Sequence, residues 1–265
     1  MEKLGRFVAK HYWGTWCICV FCGGFSIRMI PRDCAWSFPV KVLIWALTLL
    51  VAIWCATRRD YFLRKAINEM NTACDPYPLL QEAQLQQTYS GPAAGKQIMT
   101  INCAVALRGI GEYDRAYALL EMTNIDKYAM PLSMKLGYYN NRMDLCFLMG
   151  KYPEAVIWYE KMAQIFGDMK PGKQKEKLRK PVENNRALYH FCMGEYDRAL
   201  QALGQATVES LSDRIENAMM YARVYLAVGE TKRAIKPLTF VAEHGNKLYF
   251  ATEAKILLEK IDMEE

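Results

Sequence analysis

The sequence predicts an all-α chain: a solenoid of about four helical hairpins with a capping helix, preceded by a transmembrane helical hairpin. Three observations lead there. The stretch "GEYDRA" occurs at Gly111 to Ala116 and again, letter for letter, at Gly194 to Ala199, with looser copies "GKYPEA" from Gly150 and "GETKRA" from Gly229. Each copy carries an apolar residue four positions after its alanine (Leu120, Tyr159, Leu203 and Leu238), and apolar residues recur at a helical period between copies. Two uncharged apolar runs lie near the amino terminus, and an apolar content of 52% across 265 residues fits a folded chain.

The first element is the pair of apolar runs, Tyr12 to Ile27 and Val42 to Thr57. Each is 16 residues long, or roughly 24 Å as helix, slightly short of a ~30 Å hydrocarbon core. Lys10, Arg28, Lys41 and Arg58 flank them and can snorkel, while Trp13, Trp16, Trp36 and Trp54 lie near the ends. The second run is the stronger span, with Pro39 in a tolerated first-turn position. The first contains Gly14, Gly23 and Gly24, so a single span with an interfacial first segment is the alternative to two spans. No small-x-small cleavage site follows the first run, which argues against a signal peptide.

Charge separates this anchor from the rest. Residues 1–65 carry a net +7 and the remaining 200 residues a net −1, within a total of +6. A nucleic-acid-binding array would carry its basic excess on the folded part, so nucleic acid is not an expected partner. The terminal flanks hold seven Lys/Arg (Lys3, Arg6, Lys10, Arg58, Arg59, Arg64, Lys65) against three in the connecting segment (Arg28, Arg32, Lys41). The positive-inside rule then puts both termini of a multi-pass cell-membrane protein, and with them the repeat domain, in the cytoplasm. Nine scattered cysteines without framework spacing agree with a reducing compartment. "CICVFC" (Cys17 to Cys22) lacks a second ligand pair, so structural cysteines are the expectation and a metal site is not.

Residues 66–96 are expected to be a connector, because Pro76, Pro78, Gly91, Pro92 and Gly95 interrupt them. From residue 97 onward each unit reads as a first helix, a glycine corner and a second helix. The glycine suits the left-handed residue that ends a helix, the acidic residues after it suit the next helix's positive end, and Pro153 fits a first turn. Small Ala116, Ala155, Ala199 and Ala234 let the two helices approach closely. "GDMKPGKQKEKLRKP" (Gly167 to Pro181) is an insert, and "KLYFATEAKILLEKIDMEE" at the carboxyl end is a capping helix.

These corners resemble the tetratricopeptide repeat. The family's aromatic, two residues after the glycine, is matched by Tyr113, Tyr152 and Tyr196, with Thr231 departing. Its small residue, seven before the glycine, is matched by Ala104, Ala187 and Ala222, with Met143 departing. Corner spacings of 39, 44 and 35 residues exceed the family period of about 34. The resemblance implies a domain over 97–265 whose first helices line a concave, peptide-holding groove.

Motifs for catalysis are absent. The three histidines sit in unrelated contexts, and "SGPAAGKQ" lacks phosphate-loop spacing, so neither an enzyme nor a cofactor is expected. The repeated polar constellation is instead "YNNRM" and "ENNRA", ten residues before their corner glycines at Asn140 and Asn184. Asn141 and Asn185 are equivalent to Asn102, and an Asn amide both donates to and accepts from a peptide backbone. Asp144 and Arg223 should share that surface, with Phe147 and Phe191 as apolar pockets. Asparagines that tie neighbouring repeats together are the competing reading. The functional expectation is a membrane-anchored adaptor binding a protein or peptide partner, or alternatively a non-catalytic subunit of a larger membrane complex.

Overall fold

The structure, a computed structural model, describes residues 21, 37–89, 93–127 and 130–264. Among these residues the regular structure is entirely helical. The first apolar run, apart from Phe21, and the "CICVFC" cluster lie outside the described residues.

Among the described residues twelve helices follow in order: α1 (Ser37–Ala73), α2 (Tyr77–Tyr89), α3 (Ala93–Ile110), α4 (Tyr113–Glu121), α5 (Leu132–Leu148) and α6 (Tyr152–Asp168). Then come α7 (Lys173–Asn184), α8 (Arg186–Cys192), α9 (Tyr196–Gln205), α10 (Leu211–Ala227), α11 (Thr231–His244) and α12 (Tyr249–Glu264). Antiparallel pairs α3/α4, α5/α6, α8/α9 and α10/α11 each flank one glycine corner, and α12 packs on α11.

All four corners are built alike. Gly111, Gly150, Gly194 and Gly229 have φ of +94°, +73°, +74° and +79°. At each, the glycine N–H bonds to the carbonyl three residues back and the next N–H to the carbonyl five back. Examples are Gly194 N to Phe191 O at 2.9 Å and Glu195 N to His190 O at 2.8 Å. This is the Schellman ending, which satisfies the last carbonyls of the first helix. Ala116, Ala155, Ala199 and Ala234 are fully buried, as are Ala104, Met143 and Ala222, where helix meets helix.

The insert Gly167 to Pro181 is largely helical. It forms most of α7, which runs into α8 with a break at Asn185, whose side chain donates to Pro181 O at 2.8 Å. Residues 66–96 also differ from the expected connector. They hold the end of α1, all of α2 and the start of α3, with Met70, Leu79 and Ala83 buried. Pro76 and Pro78 mark a tight corner rather than a linker: Asp75 Oδ1 accepts from Tyr77 N at 3.1 Å, and Pro78 sits in the first turn of α2. No break falls at residue 65, because α1 is continuous through it.

The array closes on itself. The end of α1 packs against α10, and α12 reaches back to α3. Cys74 is fully buried in the carboxyl-terminal core with Ile215, Leu238 and Leu248. Asn246 Nδ2 donates to Ala73 O at 2.7 Å, Lys247 N to Cys74 O at 3.2 Å, and Lys247 Nζ pairs with Asp75 at 2.6 Å. Cys74 and Asn246, with φ of 53° and 47°, are the non-glycine residues in the left-handed region among those described, and they meet at this seam.

Two corners test the geometry. A Cβ on Gly194 would meet nothing within 4 Å, whereas one on Gly111 would lie 2.5 Å from the Tyr249 ring. Gly194→Ala should therefore cost about 1 kcal/mol of backbone strain. Gly111→Ala should cost distinctly more by displacing α12 from the seam, and urea unfolding of both variants measures the difference.

Candidate functional site

Inside the closed array the first helices of the repeats converge on Arg108, on the last turn of α3. Its Nη1 donates to Asp144 Oδ2 on α5 at 2.9 Å and its Nη2 to Glu216 Oε1 on α10 at 3.0 Å. The Arg108 and Asp144 side chains are 12% and 9% exposed, so the arm between the first and second units is largely dry, while Glu216 in the fourth is 42% exposed. Burial opposes the charge on Arg108, but the Glu216 and Asp144 carboxylates outweigh it and hold the guanidinium above its ordinary range. Burial also pushes the Asp144 carboxyl up to about 6, against the pull of Arg108 and with help from Glu216.

Around this bridge lies a pocket of about 120 Å³. Of the nine residues read from the sequence, Asp144, Phe147, Asn184, Asn185 and Arg223 line it. Arg223 binds both carboxylate oxygens of Glu253, at 2.7 and 2.8 Å, and lies over the rings of Phe147 and Phe250. Asn184 is latched to the backbone of Thr207 in both directions, donating at 2.9 Å and accepting at 3.0 Å. Asn185 Nδ2 donates to Asn140 Oδ1, and Asn140 Nδ2 to Asp144 Oδ2 at 3.1 Å, so the polar chain runs from the third unit into the second.

The other four, Asn102, Asn140, Asn141 and Phe191, do not line the pocket. Asn141 is buried and donates to Gly137 O of its own helix at 2.7 Å. Phe191 packs edge-on against Phe147 at 5.4 Å, with Tyr152 and Tyr196 around it. Asn102 is half-buried on α3. The equivalence of Asn102, Asn141 and Asn185 in sequence is thus not an equivalence of surroundings, because closure gives each unit different neighbours.

Sequence reasoning missed Arg108, Glu216 and Asn217, all of which line the pocket. One signal was available for Arg108. Three residues before the corner the other units carry Phe147, Phe191 and Leu226, so a charged residue at that apolar place marks an exception. Nothing in the sequence pairs it with Glu216, 108 residues away.

Among the described residues the thiols and His190 are held by the fold. Burial pushes the thiols of Cys74, Cys103 and Cys146 up to about 11 and that of Cys192 up to about 12, keeping them protonated at neutral pH. His190 is taken up by Glu195 at its corner, 2.7 Å away. Among the described residues no three His, Cys, Asp or Glu side chains converge as a metal site. Comparison with protein-family models, with curated proteins and with solved structures returned no match.

The raised Asp144 sets a pH dependence. Its unfolded value is the ordinary 3.8, so between 3.8 and about 6 the folded state holds this proton more tightly. The group's contribution to stability therefore grows as pH falls through about 6 and levels off below 3.8. The full span corresponds to about 3 kcal/mol. Asp144→Asn removes the titration, so the variant's melting temperature relative to wild type should be less favourable at about pH 5 than at about pH 8. A difference that stays constant over that range would show that Asp144 does not titrate there.

Proposed function

We propose that this protein is a non-catalytic, tetratricopeptide-like adaptor held at a membrane by its amino-terminal segment, with the array in the cytoplasm binding a protein partner through its concave side. The observation that carries the reading is the continuity of α1. Between Phe38 and Trp54 this helix exposes eleven large apolar side chains, among them Phe38, Leu43, Trp45, Leu49 and Leu50 at more than half their full area. Farther along, the same helix buries Phe62, Ala66 and Met70 within the array. Among the described residues no helix is long and apolar enough to cross a membrane. An apolar surface of this extent on a soluble protein is an interaction surface, and exposure on every side of the helix suits lipid better than a single protein groove. The unbroken helix leaves no flexible spacer, so the array sits at a fixed height above that surface.

The four identical corners support the tetratricopeptide-like reading, and the repeat-to-repeat polar chain at the pocket supports a recognition role. The protonated cysteines offer no nucleophile. A pocket of about 120 Å³ is below the range of about 300–1,000 Å³ for drug-sized ligands, so an extended peptide would enter only an opened array.

Flotation of the full chain and of a chain lacking residues 1–58 on liposomes tests the tether. The full chain should float and the truncated one should remain in solution with its partner binding intact. Flotation of both would remove the membrane role from this segment. For orientation, a single cysteine placed at the carboxyl end of a cysteine-free version should resist an impermeant thiol reagent in intact cells; its labelling would reverse the topology.

A further inference from the structure

Positive charge is concentrated where α1 leaves its apolar stretch. Residues 58–65 hold four Lys/Arg (Arg58, Arg59, Arg64 and Lys65) against one acid, Asp60, whereas residues 66–265 sum to −1. Arg64 and Lys65 are exposed. Among the described residues Arg64 has no ion-pair partner, and Lys65 has only Glu69, one turn on at 3.9 Å, in a pair that water screens.

The fold adds a cation from a second element. α2 turns back beside α1 at the Asp75 corner, and α3 turns again beside α2, where Gln87 Nε2 donates to Thr100 Oγ1 at 2.8 Å. Gln87 is 12 residues past that corner, which puts it level with Leu63, 12 residues before it. Lys96, one turn before Thr100, then stands at about the height of Arg59 and Asp60. It is exposed and, among the described residues, unpaired. The acids on the neighbouring α4–α5 connection, which Gln97 Oε1 holds through Asn124 N at 3.1 Å, already face cations: Asp126 meets Lys135 at 3.1 Å and Glu121 meets Arg142 at 4.0 Å.

We infer that this base of the array, Arg64 and Lys65 on α1 with Lys96 on α3, binds the anionic headgroups of the membrane that α1 enters. The heights agree. Asp60 lies six residues beyond Trp54, where the exposed apolar stretch ends, or about 9 Å along the helix. A headgroup layer extends about 5–8 Å beyond the hydrocarbon, so Lys96 stands at its outer edge and its long side chain reaches in. Arg64 and Lys65 stand roughly 6–8 Å higher, about one screening length at physiological salt and well inside the ~30 Å length at 0.01 M. Lysine and arginine donate charge-assisted hydrogen bonds to headgroup phosphate and carboxylate oxygens. The inference rests on the membrane reading for the bilayer itself and adds which lipids face the array.

The test reconstitutes the full chain in phosphatidylcholine vesicles and adds phosphatidylserine with brominated acyl chains. Quenching of tryptophan fluorescence gives its affinity relative to brominated phosphatidylcholine. One basic residue at an anionic surface is worth about fivefold, so at about 10 mM salt phosphatidylserine should be preferred at least about fivefold. At about 1 M salt, where the screening length is about 3 Å, the preference should fall toward unity. The triple variant Arg64→Gln, Lys65→Gln, Lys96→Gln should lower the low-salt preference at least about twofold. Removing three charges from the insert instead, by Lys170→Gln, Lys173→Gln and Lys177→Gln, should leave it unchanged, with melting curves showing both variants folded. Equal affinity for the two lipids, a preference indifferent to salt, an undiminished preference in the base variant, or an equal fall in the insert variant would overturn the inference. Strong but equal quenching by both lipids leaves the membrane reading standing and removes only the headgroup contact, whereas quenching by neither removes both.

Discussion

One guanidinium holds the two ends of this array to its middle. Arg108 reaches Asp144 in the second unit and Glu216 in the fourth, and the guanidinium and the Asp144 carboxylate have little water while Glu216 is partly exposed. A buried ionic bridge adds little net stability compared with apolar packing, because desolvation offsets most of the attraction. Its effect is specific: an array that slid open would strand a buried positive charge. Deleting one partner of such a bridge is therefore far more damaging than the bridge is stabilising. The raised Asp144 carboxyl shows how finely the two terms are balanced, since burial outweighs an opposing guanidinium 2.9 Å away.

The bridge would have nothing to close if the repeats did not curve. Curvature comes from the corners, where four left-handed glycines end four helices in the same way and four fully buried alanines let the following helices lie close. Local chemistry repeated four times sets the turn of the superhelix, and a few unrepeated contacts finish it. Those contacts are concentrated where Cys74 and Asn246 meet, each in a backbone conformation that costs about 1–2 kcal/mol for a residue with a Cβ. Strain of that size persists because the surroundings fix both residues: Cys74 is sealed in the carboxyl-terminal core and the Asn246 side chain is hydrogen-bonded to Ala73 O.

The amino-terminal helix joins these two themes. Its carboxyl half is one wall of the closed array, packed against α2 and α10, while its amino half carries apolar residues that the array does not cover. A helix that belongs to both regions transmits force and orientation between them, which a loop of the same length would not.

Much of this was legible from residues alone, and the reason is locality. A left-handed glycine, a Schellman ending, a first-turn proline and a helical apolar period depend on neighbours within about five positions, so the four corners, their alanines and the capping helix follow from the sequence. The helical nature of residues 77–89 was hidden because prolines read as linker punctuation also fit first turns, and only the burial of Leu79 and Ala83 decides between them. Five candidate residues reach the pocket because a helix face is also a local property. Tertiary structure alone decided that the array closes, that Arg108 faces Glu216 across 108 residues, and that Asn185, which like Asn141 bonds back four residues along the chain, also reaches across to Asn140. Those outcomes depend on the summed rotation of every repeat, and small angular differences accumulated over four corners leave no mark on any single stretch of sequence.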